Sequence, residues 1–399
     1  MSESLRTEPL PSLSPRPVDS VTSRVAAPVV ETTDDLILEV KDFSVDYGWG
    51  EEAVRAVNHV NLNVHRSQVL GIAGESGSGK STLVYAITRL LRAPGIITGG
   101  EATLHLGERG TAQGDDNVLD LLAATQRELR KIRWSQVSIV LQSALNALDP
   151  VQRISSEFEE ILKTHRRDMS RAERRVRAVE LLGMVGLEED RLARFPHELS
   201  GGQRQRVMIA IALALDPQLV IMDEPTTALD VVTQREIINE LHELRSTLGF
   251  AMIFITHDLS LLVELADEIV VMYAGTVVER APASALYEAP RHPYTLGLLS
   301  SSPPLHGPRN ELTGIPGSPP DLSRLPSGCS FHPRCPYAME RCATEEPPLR
   351  TLDDSGRSVA CWLHDDDPSV ALPEVLARAT PLRVPTSQTK TFVPTRSAS

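Results

Sequence analysis

Long apolar runs are missing from this 399-residue chain: the longest, Val207 to Leu215, is far short of the roughly 18 residues a membrane-spanning helix needs. The first 35 residues are rich in Ser, Thr and Pro and lack the apolar core of a signal peptide, so they read as a disordered cytoplasmic tail; residues 366–399 read the same way. Positive charge is scarce as well. Lys plus Arg is 40 against 53 for Asp plus Glu, a net charge of −13, which disfavours nucleic acid as the main partner. Cysteine is confined to four positions, Cys329, Cys335, Cys342 and Cys361. Thiols clustered in a chain with no secretory signal are not expected to build disulfides. They suit zinc or an iron–sulfur cluster, although the C-x₂-C pairs usual in zinc ribbons do not occur.

What the chain does contain is a phosphate loop. The apolar run Val69-Leu70-Gly71-Ile72-Ala73 leads into Gly74-Glu75-Ser76-Gly77-Ser78-Gly79-Lys80-Ser81, and Thr82 follows on a segment with Leu83, Ile87 and Leu90 at helical spacing. Strand, glycine turn and helix is the context this motif requires. Glycines let the backbone curl so that successive N–H groups face a triphosphate at a helix N-terminus. Lys80 then reaches the outer phosphates, and the Ser81 hydroxyl binds Mg²⁺.

A second apolar run, Gln218 to Met222, ends in Asp223-Glu224-Pro225 and reads as a buried parallel strand whose carboxyl end lies beside the phosphate loop. Asp223 is the candidate Mg²⁺ ligand and Glu224 the candidate base for the attacking water. Alone, an Asp-Glu pair would be a solvated turn; next to a phosphate loop it becomes a site. Between them in sequence, Leu199-Ser200-Gly201-Gly202 precedes Gln203 to Leu215, a stretch that reads as a helix stopping before Asp216-Pro217. Ser200 caps it, and the two glycines allow a phosphate to approach closely.

This combination resembles the ATP-binding cassette family, in which the nucleotide is sandwiched between the phosphate loop of one cassette and the Ser200–Gln203 signature of another. The resemblance runs from about Leu36 to Cys361. It implies that Gln142 senses Mg²⁺ and the γ-phosphate, that Asp230 crosses the cassette interface, that His257 contacts the γ-phosphate and that Tyr47 stacks on adenine, with Trp49 close enough to compete. Arg291 to Leu296, Gly314 to Gly317 and Cys329 to Pro336 resemble the oligopeptide and dipeptide importers within that family. That narrower resemblance implies a [4Fe–4S] cluster on Cys329, Cys335, Cys342 and Cys361, with Zn²⁺ as the alternative, His332 and His364 in supporting places, and a structural duty for the cluster. Two departures stand out: Ser67-Gln68 where Gly-Glu is usual, and Ser143-Ala144 where Asp-Pro is usual.

The expected fold is α/β: a cassette with a RecA-like parallel core, an antiparallel β-subdomain and a helical subdomain, followed by a small cysteine-containing domain. The expected boundaries are 36–281 for the ATPase, with a helical insert at about 150–198, and 282–365 for the C-terminal domain, prolines becoming frequent after Pro282. Gly107 to Asn117 reads as a polar loop, and Ile269 to Glu279 as a hairpin. The resemblance implies an ATP-hydrolysing subunit at the cytoplasmic face of the membrane that powers peptide import. Its partners would be a second cassette, two transmembrane permeases and, through them, an extracytoplasmic substrate-binding protein. Nickel, glutathione or another small solute is the alternative cargo. A soluble non-transport cassette protein fits less well, since there is one cassette and only 199 − 142 = 57 positions, without heptads, between Gln142 and Leu199. A regulatory metal sensor is a further reading of the cysteine piece.

Overall fold

The computed structural model describes residues 35–106, 118–141, 148–227, 229–301, 314–353, 356–365, 372–373 and 376. The tails, the polar stretch Gly107 to Asn117 and Gln142 lie outside the described residues, apart from Asp35 and the positions at 372–376. No helix is long and apolar enough to cross a membrane among the described residues.

In chain order the first elements are β1 (Leu36–Tyr47), β2 (Val54–His65), β3 (Val69–Ala73), α1 (Lys80–Ile87), β4 (Gly95–His105), β5 (Val118–Asp120), α2 (Gln126–Ile132) and β6 (Val137–Val140). Then come α3 (Ile154–His165), α4 (Arg171–Met184), α5 (Gly201–Ala212), β7 (Leu219–Asp223), α6 (Val231–Leu248), β8 (Ala251–Thr256), α7 (Leu259–Leu265), β9 (Glu268–Tyr273) and β10 (Thr276–Pro282). The C-terminal piece supplies α8 (Ala283–Glu288), α9 (Pro293–Ser301), β11 (Arg350–Thr351), β12 (Ser358–Val359) and several 3₁₀ turns.

Two sheets result. One is antiparallel, in the order β2-β1-β4-β5; the other is mixed, in the order β11-β12-β10-β9-β3-β8-β7-β6. In β2, buried Val60, Leu62 and Val64 alternate with Asn61 and Asn63, the period of a strand with one covered face. By contrast β3, β7 and β8 are buried at every position, as parallel strands covered on both faces must be. Their side chains divide by pleat. Val69, Ala73, Met252 and Phe254 join a core shared with α5, α6 and α7, while Leu70, Ile72, Ile253 and Ile255 join one shared with α1 and the antiparallel sheet. Fully burying each Leu, Ile, Val or Phe contributes about 1.5–3 kcal/mol, so these two layers dominate the stability of the frame that carries the site.

Helices α3 and α4 lie between β6 and α5, the second of them started by a reciprocal Ser170–Glu173 capping box. The composition changes after Pro282, but the sheet does not stop there: β12 pairs antiparallel with β10, Val359 opposite Glu279. At Ser67, where glycine is usual in the resembling family, φ is +55°, a left-handed conformation that glycine adopts more readily. Ser67 also donates its hydroxyl to the Gly249 carbonyl at 3.0 Å.

Candidate active site

Strand register builds the site. Ala73 stands opposite Thr256, and Asp223 opposite Ile255, so β3, β7 and β8 end at one edge and the residues that follow, Gly74, Glu224 and His257, emerge side by side. Because β3 has β9 on one flank and β8 on the other, the phosphate loop leaves the sheet between diverging connections, where open α/β sheets take their ligands.

Close backbone approach explains the loop's glycines. A Cβ on Gly74, at φ +149°, would lie 2.3 Å from the Met272 carbonyl oxygen, and one on Gly79, at φ +98°, 2.3 Å from that of Ala56. Gly79 precedes α1, whose first N–H groups have no intrahelical acceptor and face the loop. Lys80 is 4 % exposed. Its Nζ donates to the carbonyls of Gly74 and Glu75, both at 2.8 Å, and lies 3.4 Å from Ser78 Oγ. Burial pulls its pKa down, against the pull of Glu224, Asp223 and Glu75.

Asp223 is fully buried. Ser81 donates its hydroxyl to Oδ1 at 2.9 Å and Tyr85 its phenol to Oδ2 at 2.7 Å. Burial raises this carboxyl above the usual range, and those two hydroxyls partly offset it. Ser81 and Asp223 thus present hard oxygen donors side by side, the chemistry Mg²⁺ selects. Tyr85 was not singled out in the sequence, although it lies four residues after Ser81 and hence on the same face of α1.

Glu224 adopts φ +46°, a strained conformation for a glutamate and one that clusters at functional sites. Its carboxylate accepts from Thr227 Oγ1 at 3.0 Å, and its other oxygen is 3.7 Å from His257 Nδ1. The His257 side chain is 55 % exposed, so it reaches the mouth of the site. Tyr47, ending β1, places its hydroxyl 3.5 Å from Thr82 Oγ1, on the flank of the phosphate loop, while Trp49 is 76 % exposed.

Ser200–Gln203 and Asp230 sit at the starts of α5 and α6. Ser200 and Gln203 cap α5 reciprocally, N–H to side-chain oxygen at 3.1 and 3.2 Å. Both glycines of the signature sit inside the first turn of α5, which begins and ends earlier than the expected Gln203 to Leu215. Gly202 packs on α6, a Cβ there falling 2.6 Å from Thr233 Cγ2. Asp230 caps α6 through the N–H groups of Val232 and Thr233, which hold its carboxyl below the usual range.

All four cysteines line one cavity of about 10 Å³, with Phe331, His332 and Trp362. Burial pushes the thiols of Cys335 and Cys361 up to about 11 and about 12, and that of Cys329 upward. Among the described residues no three His, Cys, Asp or Glu side chains are gathered closely enough to grip an ion. His332 Nδ1 is 2.9 Å from the Cys329 carbonyl and His364 Nε2 2.8 Å from that of Arg291, so both histidines brace backbone.

Comparison with known proteins agrees with this geometry. The family described as "ABC transporter" matches residues 57–227, and "Oligopeptide/dipeptide transporter, C-terminal region" matches 278–342. The oligopeptide transport ATP-binding protein OppD of Escherichia coli is 41% identical over 86% of this chain and 98% of its own length. The chain belongs to the ABC transporter ATP-binding proteins, in their oligopeptide/dipeptide group. The dipeptide transport ATP-binding protein DppD of Caldanaerobacter subterraneus is 40% identical over 83% of this chain and 98% of its own. A solved dimeric ATP-binding cassette in a post-hydrolysis state, bound to ADP and Pi, matches with a TM-score of 0.53 and 34% identity, over 62% of this chain and 99% of that one. The fold is therefore an ABC cassette, and the chain is an ABC-type ATPase.

Proposed function

We propose that this ATPase powers the import of oligopeptides or dipeptides across the cell membrane from its cytoplasmic face. The observation that carries the reading is the shared edge of β3, β7 and β8, which gathers Lys80, Ser81, Asp223, Glu224 and His257; the relatives' printed roles in peptide transport supply the cargo class. Backbone N–H groups of Gly77 to Ser81 and the Lys80 ammonium bind the triphosphate. Ser81 and Asp223, with Gln142 as the resemblance implies, would hold Mg²⁺, which when bound would neutralise charge on the triphosphate. Water attacks the γ-phosphorus, its proton passes to Glu224, and the bond to the ADP oxygen breaks while His257 steadies the departing phosphate.

Hydrolysis on this reading needs a second cassette. In it Ser200, Gly201, Gly202 and Gln203, whose glycines pack against Leu229 and Thr233, serve the partner's nucleotide, with Asp230 at the seam. On the same reading the permeases dock beside Gln142, the contact that the family resemblance implies. The peptide-loaded extracytoplasmic protein acts through those permeases.

For the cysteine site, four thiols on one cavity are the donor set of a [4Fe–4S] cluster or of Zn²⁺. We propose the cluster, with Zn²⁺ as the second reading; on either, the four thiols must draw together, since no three of them are gathered to grip an ion among the described residues. Iron, zinc and acid-labile sulfide measured on anaerobically purified protein decide between them.

The function is tested by purifying the tagged chain from its native membrane. Two permeases, a second cassette and a peptide-binding protein are expected to accompany it, with ATP turnover stimulated by bound peptide. Recovery of the chain alone, with turnover indifferent to peptide, would refute the reading.

A further inference from the structure

Glu75, second residue of the phosphate loop, is fixed through all its polar groups. Its N–H donates to Tyr294 Oη at 2.7 Å, and its carbonyl accepts from Lys80 Nζ at 2.8 Å. Its carboxylate takes a two-pronged grip from Arg334, Nη1 to Oε2 at 2.6 Å and Nη2 to Oε1 at 2.9 Å. Arg334 is 259 positions further along the chain, on the 3₁₀ turn His332–Arg334 between Cys329 and Cys335. Its remaining contacts are Nε to the Pro316 carbonyl at 2.8 Å, Nη1 to Tyr273 Oη at 3.3 Å and Nη2 to the Gly317 carbonyl at 3.5 Å. A guanidinium has five N–H donors, and these contacts commit all five, so Arg334 has none to offer a phosphate. The pair is also shielded, with 7 % and 24 % side-chain exposure, which separates it from solvent-screened surface bridges.

We infer that Arg334 is a positioning residue of the nucleotide site: by locking the Glu75 carboxylate it fixes the carbonyl that Lys80 grips and the curvature that aims the loop's N–H groups at the triphosphate. The turn between Cys329 and Cys335 thereby shapes the ATP pocket through Glu75. Acting before chemistry, Arg334 governs affinity rather than turnover. The inference rests on the nucleotide site proposed above.

The test titrates the full chain with N-methylanthraniloyl-ATP, as wild type, Arg334→Gln, Glu75→Gln and the double variant, with Lys80→Ala beside them. Each single change is expected to weaken binding about tenfold, the scale of losing a charge-assisted fork, and the double change no more than the worse single one. In the assembled transporter KM for ATP should rise about tenfold with kcat within about twofold, and Arg334→Lys, restoring one prong, should recover part of the affinity. Wild-type affinity in both single variants, additive losses in the double, or a fall in kcat at unchanged KM would overturn the inference. Normal binding by Lys80→Ala would overturn the nucleotide site itself, and the clamp with it. Should Arg334→Gln fail to fold, Glu75→Gln removes the same fork from the loop side.

Discussion

Tyr85→Phe isolates one hydroxyl at the most buried charge of the site. Asp223 has no solvent exposure, and its Oδ2 receives the Tyr85 phenol at 2.7 Å while Oδ1 receives Ser81 at 2.9 Å. A hydrogen bond to a charged group is worth about 1.5–3 kcal/mol, a factor of about 10–100, and all of that support acts on the ionised carboxylate. Removing it makes the proton a stronger competitor for the oxygen that Mg²⁺ needs. Burial already raises the Asp223 pKa, so the competition moves further up the pH scale. Half-saturating Mg²⁺ for ATP turnover should therefore rise about tenfold at about pH 6 and under about threefold at about pH 8.5. Stability moves the opposite way. A carboxyl whose folded pKa is raised carries its penalty above that pKa and sheds it as pH falls through it, so the variant's thermal midpoint should drop most at the alkaline end. Equal Mg²⁺ requirements at the two pH values, or midpoints lowered most in acid, would refute the reasoning.

Glu224→Gln should retain ATP yet lose about 10²–10⁴ in turnover, the range for removing a general base; near-normal hydrolysis in a single-turnover assay would exclude Glu224 from that role. Lys80→Ala should weaken nucleotide binding itself, measured by equilibrium titration, because the phosphates lose their one buried ammonium in the loop. Gly74→Ala forces a methyl to 2.3 Å from the Met272 carbonyl oxygen, whereas Gly77→Ala, at φ +80° with open space around it, adds only backbone strain of about 1–2 kcal/mol. Thermal melts should show the first variant clearly less stable than the second, and equal midpoints would contradict the packing described for the loop.

What the sequence made legible was contiguous or periodic. The phosphate loop, Asp223-Glu224 and the signature are short words whose chemistry is local, and β3, β7 and β8 announce themselves as unbroken apolar runs. The α5 limits were misplaced by about a turn because helical spacing starts at Gln203, whereas the Ser200–Gln203 box draws both glycines into the helix. Tyr85 could have been found by asking what shares a helix face with Ser81. Arg334, Tyr273 and Tyr294 could not: their partners are set by the tertiary packing of Tyr273, Tyr294 and Phe331, whose rings meet edgewise or tilted at 4.6–5.3 Å. Nor does a change in proline content reveal that a two-residue strand will extend the central sheet beyond Pro282.

The long chain separation between Glu75 and Arg334 has a consequence during synthesis. The loop leaves the ribosome 259 residues ahead of its arginine, and at roughly 5–20 residues per second the wait is on the order of 10–50 s. A newly made cassette therefore completes its nucleotide cradle only once Arg334 has emerged, and a transcript truncated before residue 334 yields a lobe whose ATP grip was never finished.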